Sequence, residues 1–414
     1  MKRLYTTIIA LAAVLTSMAQ TLQITTRDNM VILANADEVG EMFFTSNSLS
    51  IGQEVFELDN IAKMEYLTDN FDPQLVSLDY SNGVCKVKMP LALMQLVSVE
   101  RDGQYATLTS TATADPEIIY NLSGTTSDGA FTLIGEYKCD IQLNGINIKS
   151  NKGAAFYIKN GKRIDIETLP STVNRFEDYA QGEQDACFQV KGHPEFKGSG
   201  SIYIAGNAGH AYKSGEYTLL KRSTGLIQVT SATKDAMHIG QYFQMRGGNV
   251  VIQNGVKGDG IQVEKSSDPT KEQNGMILLD SGTVNINIAS DDVDGIKCDS
   301  TFYCNGGKYT ITSNGNGSKG ISVAHNAIIK ALYSTPEFNI TANGDNLDIG
   351  GDKKKVACFK VDGSMFFHAG KITMSRDGKK GLKIGGDYNY VPAKTTLSPG
   401  PYPEVTGSIR IMSE

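Results

Sequence analysis

Apolar and polar residues alternate along much of this chain, and the alternation restarts after a glycine. It is clearest in Gly248-Asn-Val-Val-Ile-Gln, Gly282-Thr-Val-Asn-Ile-Asn, Gly307-Lys-Tyr-Thr-Ile-Thr and Gly370-Lys-Ile-Thr-Met-Ser. The second and fourth residues after each glycine are apolar: Val250 and Ile252, Val284 and Ile286, Tyr309 and Ile311, Ile372 and Met374. A period of two predicts a strand with one buried face. A second pattern recurs upstream of these strands. Five segments resemble one another: His210-Ala-Tyr-Lys-Ser, Asp235-Ala-Met-His-Ile, Asp259-Gly-Ile-Gln-Val, Asp294-Gly-Ile-Lys-Cys and Lys319-Gly-Ile-Ser-Val. Their small residues stand at 211, 236, 260, 295 and 320, in steps of 25, 24, 35 and 25. The long step carries a polar insertion, Ser266 to Gly275, and weaker copies follow around Asn346-Leu-Asp-Ile and Lys380-Gly-Leu-Lys-Ile. A fixed period in this range marks stacked units.

Each unit reads as strand, turn, strand, glycine turn, strand. No clear helical 3.6 period lies between the strands, which argues against a βαβ sheet. Propeller blades need about 40–45 residues, which argues against that rival. The fold expected is therefore all-β: a right-handed, single-stranded parallel β-helix. Val250, Val284, Tyr309, Phe338 and Ile372 are expected on one inward ladder. Residues 20–70 read as a small N-terminal β segment, and residues 75–414 as the solenoid, with a Pro-rich stretch from Pro392 to Pro403 looping before a last strand at Gly407-Ser-Ile-Arg-Ile.

Composition adds three points. The 43 glycines supply corners, and the formal charge of −6 argues against nucleic acid as a partner. Residues 1–19 have two basic residues, a short apolar core and a Ser-Met-Ala end, the pattern of a signal peptide. Export to the periplasm, cell surface or medium is expected. No cysteine adjoins the cleavage site, so lipid attachment there is not, and no later apolar run is long enough for a transmembrane segment. Export permits disulfides, yet Cys298 and Cys304 fall at inward strand positions, which favours free thiols packed as small hydrophobes.

Several segments resemble the exported carbohydrate-binding β-helix family first recognised in cellulolytic clostridia and common in Bacteroidetes. They are Leu122-Ser-Gly-Thr-Thr-Ser-Asp-Gly-Ala-Phe, Leu143-Asn-Gly-Ile-Asn-Ile-Lys-Ser, Ala154-Ala-Phe-Tyr-Ile-Lys-Asn, Thr172-Val-Asn-Arg-Phe-Glu-Asp, Gly198-Ser-Gly-Ser-Ile-Tyr-Ile and the Asp-Gly-Ile repeats. The resemblance covers roughly residues 75–385. It implies a parallel β-helix, binding of plant polysaccharide including acidic pectic chains, Ca²⁺, and kinship in fold with pectate lyases. The first unit departs from the pattern: His210 stands where Asp is expected, with Ala-Tyr in place of Gly-Ile.

Register, not the resemblance, supplies the candidate residues. Asp235, Asp259 and Asp294 precede the small anchor in three successive units, so they fall on one corner at about the rung spacing of ~4.8 Å. Stacked like charges repel unless a cation bridges them, and hard oxygen donors suit Ca²⁺. The expected metal ligands are Asp259, Asp292 and Asp294, with Asp235. The alternative is turn chemistry, each carboxylate capping backbone N–H groups. A weaker acidic loop runs from Asp345 through Asp348 to Asp352. On the strand after the anchor, the outward position carries Lys213, His238, Gln262, Lys297 and Lys383, a row suited to uronate carboxylates or simply a solvated face. Another outward row carries Gln244, Leu278, Tyr303 and Phe366, suited to stack on sugar rings or to meet a partner protein, with Tyr303 and Phe366 the expected ligand contacts. The function expected is non-catalytic binding of acidic polysaccharide with Ca²⁺ as cofactor, by a monomer. A Ca²⁺-dependent pectate-type lyase using Lys257 or Lys297 as base, and a surface adhesin, remain open.

Overall fold

The computed structural model describes residues 21–400 and 403–413. The chain winds into a parallel β-solenoid of about 12 turns. Each turn of the repeat region lays down three strands, and equivalent strands stack in register on three faces. The strands that carry the Asp-Gly-Ile repeats form the anchor face. It is a 13-stranded sheet in which Val97–Asp102, at one end, pairs antiparallel with Gln104–Ser110. The middle and third faces belong to a 26-stranded sheet.

The alternation explains this register. Val250 pairs with Val284, Val284 with Tyr309, Tyr309 with Phe338, and Phe338 with Ile372, so the five expected residues form one ladder. All five are buried. The interior is one apolar cluster running from Leu22 to Tyr388. Phe156 and Phe188 stack within it at 4.0 Å between ring centroids. All six cysteines are free thiols inside the cluster. Burial pushes the Cys298 and Cys304 thiols up to about 12, so they act as apolar volume.

The small anchor residue has a steric cause. A Cβ on Gly295 would lie 2.5 Å from the Gly320 carbonyl oxygen and 2.5 Å from Ile311 Cγ2. Gly260 meets Gly295 and Ile286 in the same manner, one turn away. Successive turns approach there too closely for a side chain, which leaves the residue before each glycine to carry the corner's chemistry.

The N-terminal segment consists of short strands with one short helix, Ala36–Val39, and its main sheet continues that of the solenoid. Thr21–Thr26 pairs antiparallel with both Met30–Asn35 and Ile61–Leu67. Met30–Asn35 runs parallel to Lys86–Pro90, which in turn pairs antiparallel with Leu75–Asp79 in the first turn. This covers an end whose backbone would otherwise be free to pair with another chain. At the other end, part of the Pro-rich stretch is strand rather than loop: Thr395–Ser398 pairs with residues 370–373 of the third face. The expected last strand is Ile409–Ile411. The signal-peptide segment lies outside the described residues. Among the described residues no helix is long and apolar enough to cross a membrane.

Candidate functional site

The corner before the anchor strands is a ladder of side chain to backbone bonds. Asp235 Oδ1 accepts the N–H of Asp259 at 2.8 Å, and Asp259 Oδ1 accepts the N–H of Asp294 at 2.6 Å. Asp294 Oδ1 accepts the N–H of Lys319 at 2.9 Å. At the start of the series His210 Nδ1 takes the acidic residue's part, accepting the N–H of Asp235 at 3.1 Å. Each carboxylate thus satisfies a donor that the tight turn leaves without a strand partner. Asp235, Asp259 and Asp294 are all buried by this arrangement.

One oxygen of each carboxylate is spent on the backbone, and the charge is met by different cations at different rungs. Asp235 Oδ2 faces two imidazoles, His238 Nδ1 at 2.9 Å and His210 Nδ1 at 3.2 Å. Burial opposes its ionisation, but the two histidines and the Asp259 N–H prevail and hold its carboxyl well below the usual range. Burial also pushes the His210 imidazolium down, despite Asp235. Asp259 Oδ2 lies 3.2 Å from Lys297 Nζ. Here burial wins, helped by the Asp294 charge, and the Asp259 carboxyl rises to about 6. For Lys297 burial favours the neutral amine, but Asp259 outweighs it and holds the ammonium above its ordinary value, the wrong direction for a catalytic base. Asp294 pairs with Lys319 at 3.3 Å, and exposed Asp292, at φ 54°, with Lys354 at 3.6 Å.

The structure brings most of the expected residues together. His238, Gln262 and Lys297 are register neighbours on the anchor face, and the row continues through Ser322, Lys360 and Lys383. Glu264 ties two of them, accepting from Gln262 Nε2 at 2.8 Å and lying 3.3 Å from His238 Nε2. Asp259, Asp292, Asp294 and Lys297 line one cleft of about 420 Å³, which also receives Lys319, Lys353, Lys354, Lys355, Lys360 and Lys383. Seven lysines therefore face three carboxylates.

Tyr303 and Phe366 lie elsewhere. They belong to the middle face, separated by Ile328 in the same row, and both are half-buried. They form a stripe apart from the acidic corner.

Sequence reasoning placed Lys297 and Lys383 on the outward row but missed the other lysines at the rim. Asp345 to Asp352 was expected to be an acidic loop, yet the segment is the start of a hairpin, Leu347–Ile349 against Asp352–Lys354. Asp345 is paired with Lys380 at 2.9 Å and Asp352 with Lys354 at 3.0 Å. The signal was present as the run Lys353-Lys-Lys immediately after Asp352. A larger cleft, about 740 Å³, was also missed. Arg222, Arg246, Gln244, Asp280 and exposed Tyr333 line it.

The family model of a carbohydrate-binding domain-containing protein matches residues 102–381, more than half of the chain. A carbohydrate-binding domain-containing protein of Acetivibrio thermocellus is 30% identical over 99 residues, 22% of this chain and 35% of the relative. The match thus spans about a third of that relative's length. Among solved structures, a polysaccharide lyase-like protein from C. thermocellum, determined as a gadolinium derivative, is similar at a TM-score of 0.48 and 18% identity. That likeness covers 64% of this chain and 96% of the other. With its matched segment spanning most of the turns described above, the chain belongs to the carbohydrate-binding domain-containing family.

Proposed function

We propose that this chain is an exported, monomeric, non-catalytic protein that holds acidic polysaccharide in the lysine-lined cleft and along the anchor-face row. The observation that carries the proposal is the charge balance of the cleft, seven lysines against three aspartates. Lys297, Lys319 and Lys354 are paired with those aspartates, and Lys360 with Asp362 outside the cleft. Lys353, Lys355 and Lys383 make no ion pair among the described residues. A chain bearing a carboxylate on each sugar supplies the missing charge at regular intervals, matched to a row that offers a new polar side chain on every turn. Tyr303 and Phe366, on the middle face, offer a second, apolar contact for sugar rings.

Ca²⁺ at Asp259, Asp292 and Asp294 is part of the proposal. Three carboxylates on one wall are the donors this ion takes, and it would add open positions for a uronate. However, Oδ1 of Asp259 and of Asp294 already accepts a backbone N–H, and ammonium groups stand beside all three carboxylates. The ion therefore competes with lysines. Its affinity should be weak in the parent and rise in Lys297→Ala.

Titration calorimetry with polygalacturonate and with a neutral β-glucan tests the reading. Polygalacturonate should bind more tightly, weaken as salt is raised, and bind more weakly to the Lys360→Ala/Lys383→Ala double variant. Tyr333→Ala, in the other cleft, should leave it unchanged. Equal binding of neutral and acidic chains, with no salt response, would sink the proposal. Release of an ultraviolet-absorbing unsaturated product would favour a lyase instead, and binding of neither glycan an adhesin.

A further inference from the structure

We infer that His210, Asp235 and His238 form a site for a borderline divalent transition-metal ion of the Zn²⁺ class. The three side chains come from two successive turns. His210 and Asp235 occupy equivalent corner positions, and His238 stands on the outward row three residues after Asp235. Their ligand atoms lie within 4.8 Å of one another. Asp235 Oδ2 is 2.9 Å from His238 Nδ1 and 3.2 Å from His210 Nδ1. A tetrahedral ion with bonds of ~2.0–2.1 Å holds its ligands about 3.3 Å apart, so small side-chain rotations admit it.

Two further observations point to a ligand. An imidazole nitrogen has one lone pair. His210 Nδ1 directs it toward the Asp235 N–H at 3.1 Å, yet the same nitrogen faces the Asp235 carboxylate at 3.2 Å. With that nitrogen bare, two acceptors oppose each other; with it protonated to meet the carboxylate, it opposes the Asp235 N–H instead. A cation shared by Nδ1 and Oδ2 takes that lone pair in place of the Asp235 N–H and removes the repulsion. The second observation is Glu264, whose Oε2 lies 3.3 Å from His238 Nε2. With Nδ1 on a metal, Nε2 carries the proton, and a carboxylate beside it fixes ring and tautomer, as in carboxylate–histidine–metal arrangements. The nearby cation Lys213 is already engaged by Asp185 at 2.8 Å.

The donor set decides the class of ion. Two imidazoles and one carboxylate suit Zn²⁺ and its neighbours, whereas Ca²⁺ takes oxygens. Replacing Asp by His at position 210 thus turns one rung of an oxygen-donor corner into a nitrogen-donor site. The inference stands independently of the glycan proposal.

The test is calorimetry of the untagged, chelator-treated protein with ZnCl₂, and with CaCl₂ as control. One Zn²⁺ per chain should bind much more tightly than Ca²⁺. His238→Gln and His210→Gln should each abolish that step. Glu264 is half-exposed, so Glu264→Gln should fold normally and weaken Zn²⁺ about 10–100-fold. Co²⁺ in place of Zn²⁺ should give a visible band of tetrahedral intensity, lost in His238→Gln. The inference fails if Zn²⁺ does not bind, if both histidine variants bind it as the parent does, or if Glu264→Gln changes nothing.

Discussion

Replacing Asp259 by Asn should stabilise this protein at neutral pH, although it removes one partner of an ion pair. The Asp259 carboxyl is raised to about 6 by burial and by Asp294, against roughly 3.9 in an unfolded chain. The folded state therefore binds this proton more tightly than the unfolded state does. Stability contributed by the group grows as pH falls through 6 and is complete below the unfolded value. Above pH 6 the folded protein carries the full cost of the buried charge. A gap of about two pH units at 1.36 kcal/mol each gives ~3 kcal/mol. The attraction to Lys297 is already inside that figure, because protonation removes it as surely as an amide does. Asn keeps an oxygen at Oδ1 for the Asp294 N–H, so the corner ladder survives. Urea unfolding followed by circular dichroism, at pH 7.5 and at pH 4, measures the difference. Asp259→Asn should be more stable by up to ~3 kcal/mol at pH 7.5, and the gap should close at pH 4. A variant less stable at pH 7.5, or a gap independent of pH, would refute the reasoning.

Two substitutions probe the stacking itself, by the same unfolding assay. Ile286→Ala removes a fully buried side chain from the third face and should cost about 2–5 kcal/mol through the cavity it leaves. Gly295→Ala forces a methyl group against the Gly320 carbonyl and Ile311; it should cost about 1–3 kcal/mol as overpacking, and an unchanged midpoint would show that neighbouring turns can separate freely.

The solenoid was legible because strand alternation and a repeat of about 25 residues are local signals. The inward ladder from Val250 to Ile372 follows from them, since register in a stacked helix is set by which face is buried. The corner was legible in part. Asp235, Asp259 and Asp294 do stack, but the sequence does not reveal what meets each charge. Lys297 reaches back to Asp259 from the next turn, whereas His238 pairs within its own unit. The hairpin that delivers Lys353 and Lys354 was hidden because three aspartates dominate the local composition, and their pairing with lysines depends on side-chain direction. The N-terminal segment read as a separate piece because its strand lengths differ from the repeat. Its parallel pairing with Lys86–Pro90 is non-local and leaves no periodic trace.

The different fates of the stacked carboxylates follow from one geometric fact. Every corner aspartate gives Oδ1 to the next turn's backbone; Asp235 and Asp259 meet their cations through Oδ2, whereas Asp294 meets Lys319 Nζ through that same Oδ1. The nature of the corner is then set by the neighbouring cations. At Asp235 the neighbours are imidazoles, which can present lone pairs, and the remaining oxygen would be one ligand among three in the inferred metal site. At Asp259 and Asp294 they are ammonium groups, which have no lone pair to give and can only neutralise. Once those pairs are made, Lys353, Lys355 and Lys383 are left without an ion pair among the described residues. On the two proposals made above, one continuous corner would take a cation at its histidine rung and anions at its lysine rungs, with Gln262 and Glu264 between the two.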